Sequence, residues 1–342
     1  MATHPVIDLH EDISMYFISH GGGEPLGDFN VDIPGRTADI PKYIRGNVRL
    51  VFASIFPGLE TFDLSKSKHY EKIYGKWLPG IRLRAPQLVA FEQISVYYRL
   101  AESYPELVIV DTLGGVKRIL ASANKIGLLL HMEGAEPIED PYDLMLWKRL
   151  GLRSLGLTWN YNNKYAASCV SKKDYGLTPE GEELVRMANR LKIIIDLAHA
   201  STQTAIDAIN ASRKPVVISH ANYRGIVDSP RNVPDEVLEA LEKNRGVIGL
   251  TAISSLVSRK KEPTIDDLVE HYIVLRDTYG YEILAIGTDF LGLLGIPSPR
   301  GLESIDKVQL LLTKLEEKGF TDTEIEAIAY GNALRVLIEN FS

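Results

Sequence analysis

Eight short runs rich in β-branched and other apolar residues recur along the chain, each separated from the next by a longer stretch with helical spacing. This alternation limits the possible folds more than any other feature. The runs are Val6–His10, Val48–Ile55, Ile126–Glu133, Leu152–Thr158, Ile193–His199, Pro215–His220, Gly246–Thr251 and Ile283–Asp289. They are continuous rather than alternating, the pattern of parallel strands covered on both faces. Between them, Thr178-Pro179-Glu180-Gly181-Glu182 reads as a helix start, with a threonine cap, proline at the first position and acids in the first turn. Thr321-Asp322-Thr323-Glu324 reads as the start of the last helix. Strands alternating with helices predict a parallel α/β architecture, and about eight such units favour a closed (β/α)8 TIM-type barrel over a doubly wound sheet. At 342 residues the chain fits one barrel domain over 1–342, with an inserted helical segment around 57–104 that has Pro79 and Pro86 as breakers.

The ends of these runs carry the chemistry. Residues two apart on a strand face the same way, so His10 and Asp12 aim an imidazole and a carboxylate at one point. Glu133 ends the third run, His199 the fifth, His220 the sixth and Asp289 the eighth. In a (β/α) barrel the C-terminal strand ends line the mouth where the active site sits. Polar groups buried there unpaired would cost several kcal/mol each, and the mixture of imidazole nitrogen and carboxylate oxygen suits divalent cations. The count suits two ions, His10 and Asp12 on one, His199 and His220 on the other, and Glu133 bridging. Two cations about 3.5–4 Å apart share a hydroxide, lower its pKa and polarise a carbonyl. Asp289 is then the natural proton acceptor or hydroxide orienter. His131, on the same strand face as Glu133, reads as a satisfied barrel residue or a second support to the site. His4, His20, His69 and His271 read as surface residues.

A net charge of −7 argues against nucleic acid as a partner, because phosphate binding needs a basic face. The one basic run, Arg259-Lys260-Lys261, is followed by Glu262 and reads as a solvated loop. The single cysteine, Cys169, excludes an intramolecular disulfide and reads as a tolerated thiol in a reducing compartment. No stretch approaches the ~18 to 20 apolar residues of a membrane helix, and neither a signal segment nor a lipid anchor is apparent. These features together lead to the expectation of a cytoplasmic protein without a membrane partner.

Several longer motifs then point to a family. Asp8-Leu9-His10-Glu11-Asp12, Glu133-Gly134, Leu157-Thr158-Trp159-Asn160 and Gly176-Leu177-Thr178-Pro179-Glu180-Gly181 are the first four. Ile195-Asp196-Leu197-Ala198-His199-Ala200-Ser201, Ser219-His220, Arg231-Asn232-Val233-Pro234-Asp235, Ile286-Gly287-Thr288-Asp289-Phe290 and Gly331-Asn332-Ala333-Leu334-Arg335 complete the series. With these the chain resembles, nearly end to end, the membrane (renal) dipeptidase family of zinc peptidases, within the amidohydrolase-like metallo-dependent hydrolases. The resemblance implies a (β/α)8 barrel with a binuclear zinc centre bridged at Glu133, and a homodimer. It also implies hydrolysis of dipeptides, including those with a C-terminal D-residue. Arg231 matches the arginine that contacts the substrate carboxylate, a task that suits a bidentate guanidinium fork.

Two departures stand out. Trp159 occupies a substrate-binding position where many members have a histidine that steadies the carbonyl oxygen, which leaves the oxyanion partner open between the metal and His131. Asp289-Phe290-Leu291-Gly292 replaces an Asp-Phe-Asp-Gly pattern and is expected to change the pocket wall. The alternatives are hydrolysis of a lactam, cyclic amide or lactone, or a member whose turnover is reduced by Trp159. Enzymes of the first kind often bridge their metals with a carboxylated lysine, whereas the bridging position here is Glu133.

Overall fold

The computed structural model describes residues 4–19, 27–57, 85–293 and 295–342. All eight runs form strands, and a ninth is added. They are β1 (Val6–Glu11), β2 (Val48–Ile55), β3 (Leu107–Ile109), β4 (Ile126–Met132), β5 (Leu152–Gly156), β6 (Ile194–Asp196), β7 (Val217–Ala221), β8 (Val247–Leu250) and β9 (Leu284–Ile286). All pairings are parallel. β1 pairs with β2, β2 with β4, and the series runs through β5 to β9, which returns to β1 and closes a ring of eight. β3 stands outside that ring. It pairs with Ile126–Leu128 of β4, while β5 pairs with β4 from Leu130 onward. At three residues it is too short to give a periodic signal in the sequence.

Helices occupy the connections. Thr178 caps the helix Pro179–Leu191 by accepting from Gly181 N at 3.1 Å, as its sequence predicts. The helix Pro86–Ser103 fills the described part of the inserted segment; Pro79 lies outside the described residues. Pro86 does not break a helix but opens one, where a missing N–H costs nothing.

The inside of the ring is packed in layers. Ile7, Leu9, Leu50, Phe52, Leu129, Ile194, Val217, Val247 and Ala285 form part of one buried cluster. They come from seven of the eight ring strands, which only the barrel interior can bring together. Above them lies a polar layer, where Asp196 meets His131 and Ser219, and His131 meets Ser154. Gly287 belongs to this pinched region, since a Cβ there would fall 1.8 Å from the Ser219 carbonyl oxygen.

β1 is irregular where it matters. Asp8 pairs with Val51 and Glu11 with Ala53, so three steps of β1 oppose two of β2. Such a bulge re-aims side chains. Leu9 joins the interior cluster, and His10 also turns inward, its ring 5.3 Å from that of His131 and 3.8 Å from that of His220. Glu11 is turned instead to Tyr43, whose hydroxyl donates to it at 2.6 Å.

Candidate metal centre

The barrel brings the six predicted side chains to one place. Glu133 Oε1 lies 2.9 Å from His199 Nε2 and 3.3 Å from His220 Nε2, while its Oε2 is 3.8 Å from His10 Nε2. His10 Nε2 is in turn 3.4 Å from Asp12 Oδ2 and 3.7 Å from Asp289 Oδ1. Two triads have ligand atoms mutually within 4.8 Å: His10, Glu133 and His220, and His10, Asp12 and Asp289.

The strands that carry these groups stop sooner than the apolar runs do. His199 lies three residues past β6 and Asp289 three past β9, and both adopt left-handed backbone, φ 62° and 64°. Residues other than glycine rarely do so, and such strain collects at functional sites. Hydrogen bonds hold it in place. The His199 carbonyl accepts from Cys169 N at 2.7 Å and Thr158 Oγ1 at 3.1 Å, and Asp289 N donates to His10 O at 3.1 Å. Gly292 completes the approach, because a Cβ there would sit 1.9 Å from Asp12 Oδ2 and 2.8 Å from Asp289 Oδ1.

The supporting residues fix which nitrogen faces the centre. Ser219 Oγ donates its one proton to Asp196 Oδ2 at 2.6 Å, so at 2.9 Å from His220 Nδ1 it must accept. His220 therefore carries its proton on Nδ1 and presents a bare Nε2. His199 is set the same way, with Nδ1 2.7 Å from Asn160 Oδ1. Burial, reinforced by nearby Arg231 and His10, pushes both imidazoles well below their ordinary pKa, so they are neutral and ready to ligate. Burial works to raise Asp196, yet hydrogen bonds from His131 and Ser219 hold its carboxyl down at about 2. Asp196, Ser219 and Asn160 were not singled out by their chemistry in the sequence, although all three lie inside the quoted motifs.

The centre demands positive charge. Burial opposes a charge on His10, but Glu133, Asp12 and Asp289 outweigh it and push the imidazole up to about 10. Burial raises Glu133 well above the usual carboxylate range and Asp289 to about 8. Among the described residues the buried His10 Nδ1 and Nε2 and Asp12 Oδ1 have no hydrogen-bond partner. Three crowded carboxylates, two bare imidazole nitrogens and orphaned donor atoms fit divalent cations.

A cavity of about 210 Å³ opens above these groups, and Arg231 and Trp159 line it. Arg231 Nη2 reaches His220 O at 2.8 Å and His199 Nε2 at 3.0 Å; among the described residues its Nε and Nη1 make no hydrogen bond. Its loop is held by buried Asn232, which donates to Val227 O and Leu256 O, both at 3.0 Å. The Trp159 ring lies 5.9 Å from that of His199 and 4.9 Å from that of Phe56.

His131 is the satisfied barrel residue expected of it: wholly buried between Asp196 and Ser154, it does not line the cavity and has no path to a substrate oxygen. Three expectations resolve differently. Leu291 does not form pocket wall either, but packs against the hydrophobic core while the neighbouring Gly292 and Leu293 line the cavity. His271 is not a surface residue: it is buried, accepting from Tyr223 N at 3.1 Å and donating to Val257 O at 2.9 Å. Helical periodicity places a residue on a face but does not reveal what covers that face. His4, also expected on the surface, is partly buried against Asp322 at 3.2 Å. His20 and His69 lie outside the described residues.

A closed parallel barrel whose mouth gathers imidazoles and carboxylates for divalent cations defines a metallo-dependent hydrolase. The sequence model of the membrane dipeptidase family, peptidase family M19, matches residues 1–341, and the chain belongs to that family. Among curated proteins, a protein described as an uncharacterized dipeptidase of Schizosaccharomyces pombe is 32% identical, with 98% of this chain and 80% of that one aligned. A dipeptidase of Clonostachys rogersoniana is 30% identical over 98% of this chain and 84% of its own length. Among solved structures, a metallopeptidase from Rhodobacter sphaeroides bound to a phosphinate mimic of L-Ala-D-Ala superposes with TM-score 0.83. It is 25% identical, with 99% of this chain and 100% of that one covered. The chain is thus a dipeptidase of the M19 metallopeptidase family.

Proposed function

We propose that the chain hydrolyses the peptide bond of dipeptides, those ending in a D-residue included, with two zinc ions held by His10, Asp12, Glu133, His199 and His220. The observation that carries this reading is the position of Glu133, whose two oxygens face different halves of the cluster, 2.9 Å from His199 and 3.8 Å from His10. Divalent ions bound there supply a polarised carbonyl and a water acidified toward neutral pH. Arg231 receives the terminal carboxylate in its guanidinium fork. Asp289, whose Oδ1 lies 3.7 Å from His10 Nε2 at the edge of the centre, takes the proton of the attacking water and returns it to the leaving amine. Trp159 binds substrate from the cavity wall, where it meets Phe56. No lysine is among the described residues lining the cavity, which favours a peptidase over hydrolases bridged by carboxylated lysine.

The same reading includes a single barrel domain over 1–342, a cytoplasmic location and a homodimer. No helix among the described residues is long and apolar enough to cross a membrane. Elemental analysis with a panel of L–L and L–D dipeptides tests the proposal. Two zinc ions per chain and turnover lost on chelation are expected; full turnover by metal-free protein would sink it. Cell fractionation and sedimentation velocity test the location and the dimer.

A further inference from the structure

The metal centre accounts for cleavage of a peptide bond but not for the choice of side chains beside it. Resting on the dipeptidase reading above, we infer that the site selects dipeptides with uncharged, apolar side chains, and that Phe56 and Trp159 discriminate at the N-terminal residue.

The order of strands around the ring orients the substrate. Arg231 follows β7, and in the ring β1, β2, β4 to β9 the strand opposite β7 is β2. Phe56 immediately follows β2. A dipeptide with its carboxylate on Arg231 and its scissile bond above Glu133 therefore points its N-terminal residue toward Phe56. Trp159, after β5, and Met15, after β1, flank that sector. The C-terminal side chain stays close to its own carboxylate, and the neighbouring loops after β8 and β9 offer it Ile253, Leu256 and Leu293.

Charge is confined to the centre. Among the described residues lining the cavity, Asp12, Glu133, Asp289, His199, His220 and Arg231 are the only ionisable ones, and all are already engaged in the proposed chemistry. A lysine or aspartate side chain in either sector would lose its water and find no uncommitted counter-ion among the described residues lining the cavity.

The N-terminal wall is also set before a substrate arrives. Phe56 is 3% exposed, and its backbone is held at both ends by the buried Gln93 carboxamide, N to Oε1 at 2.7 Å and O from Nε2 at 2.5 Å. Its ring meets that of Trp159 at 4.9 Å with a tilt of 54°. Two aromatic rings fixed at an angle make a largely apolar corner that carries no charge to pair with an ionic side chain.

Steady-state kinetics on zinc-loaded enzyme tests the inference, with two series, X-Ala and Ala-X, where X is Leu, Phe, Ser, Lys or Asp. In both series Leu and Phe should exceed Ser in kcat/KM by about 10-fold and Lys or Asp by about 100-fold, the range an apolar pocket supplies. Trp159→Ala and Phe56→Ala should each erase about 10-fold of the X-Ala preference, mainly through KM, and leave the ranking of the Ala-X series as it was. If Phe56→Ala does not fold, Trp159→Ala reads the same wall from a half-buried position. Equal turnover of Lys-Ala, Asp-Ala and Leu-Ala would overturn the inference and leave the dipeptidase reading standing. A wild-type preference that survives both substitutions would overturn the role given to Phe56 and Trp159. Failure to cleave any dipeptide would remove both.

Discussion

Ser219 has one proton and two neighbours that compete for it, and this decides the state of His220. Because the proton goes to Asp196, His220 must donate from Nδ1, and its Nε2 is left bare toward Glu133. Ser219→Ala removes that constraint and leaves Asp196 without the donor. Groups of this kind typically change metal affinity by about 10- to 100-fold. Competition with a chromogenic chelator should show weaker binding by that amount, with activity recovering at saturating zinc; unaltered affinity would mean that the tautomer is set elsewhere. Asp289 is the complementary case. Asp289→Asn keeps an oxygen near His10 but cannot take up a proton, so the metal content should hold while kcat falls about 10²- to 10⁴-fold. Loss of metal in that variant would make Asp289 a ligand first.

At the scale of elements, backbone irregularities aim the site. The bulge in β1 sends His10 inward beside Leu9, and left-handed turns after β6 and β9 present His199 and Asp289. The loop after β7 that carries Arg231 is fastened by His271, on the helix Ile265–Tyr279, through Tyr223 N and Val257 O. Burial depresses the His271 pKa to about 4. An unfolded histidine titrates near 6.5, so below that pH the unfolded chain takes up a proton that the folded one refuses. The contribution of His271 to stability is complete above about pH 6.5 and is lost as pH falls toward 4, by about 1.4 kcal/mol per pH unit. His271→Gln keeps a donor and an acceptor but does not titrate. Its denaturation midpoint should fall less steeply than that of the wild type between those values; parallel curves would contradict the assignment.

For the whole molecule, the centre ties the two ends of the chain's strand order together. The proposed ligands stand on or just after β1, β4, β6 and β7, so an ion held there would brace the closed ring. A ligand that binds only the folded state at about 1,000 times its Kd adds about 4 kcal/mol. Chelation should therefore lower the thermal midpoint by several degrees, and re-addition of zinc should restore it. A midpoint indifferent to chelation would mean that the barrel closes by packing alone.

The sequence by itself determined the eight ring strands, their parallel sense and the six chemical groups at the mouth, because continuous apolar runs and ionisable ends are local signals. Its longer motifs also determined the family. It did not reveal β3, whose three residues carry no period, nor the stopping points of β6 and β9, which depend on where a neighbouring strand ceases to pair. The burial of His271 was decided by elements distant in the chain. Tertiary structure alone turned Leu291 away from the cavity and set Phe56 across the mouth from Arg231. Those relations exist only after the ring has closed, since closure fixes which strand ends stand opposite one another.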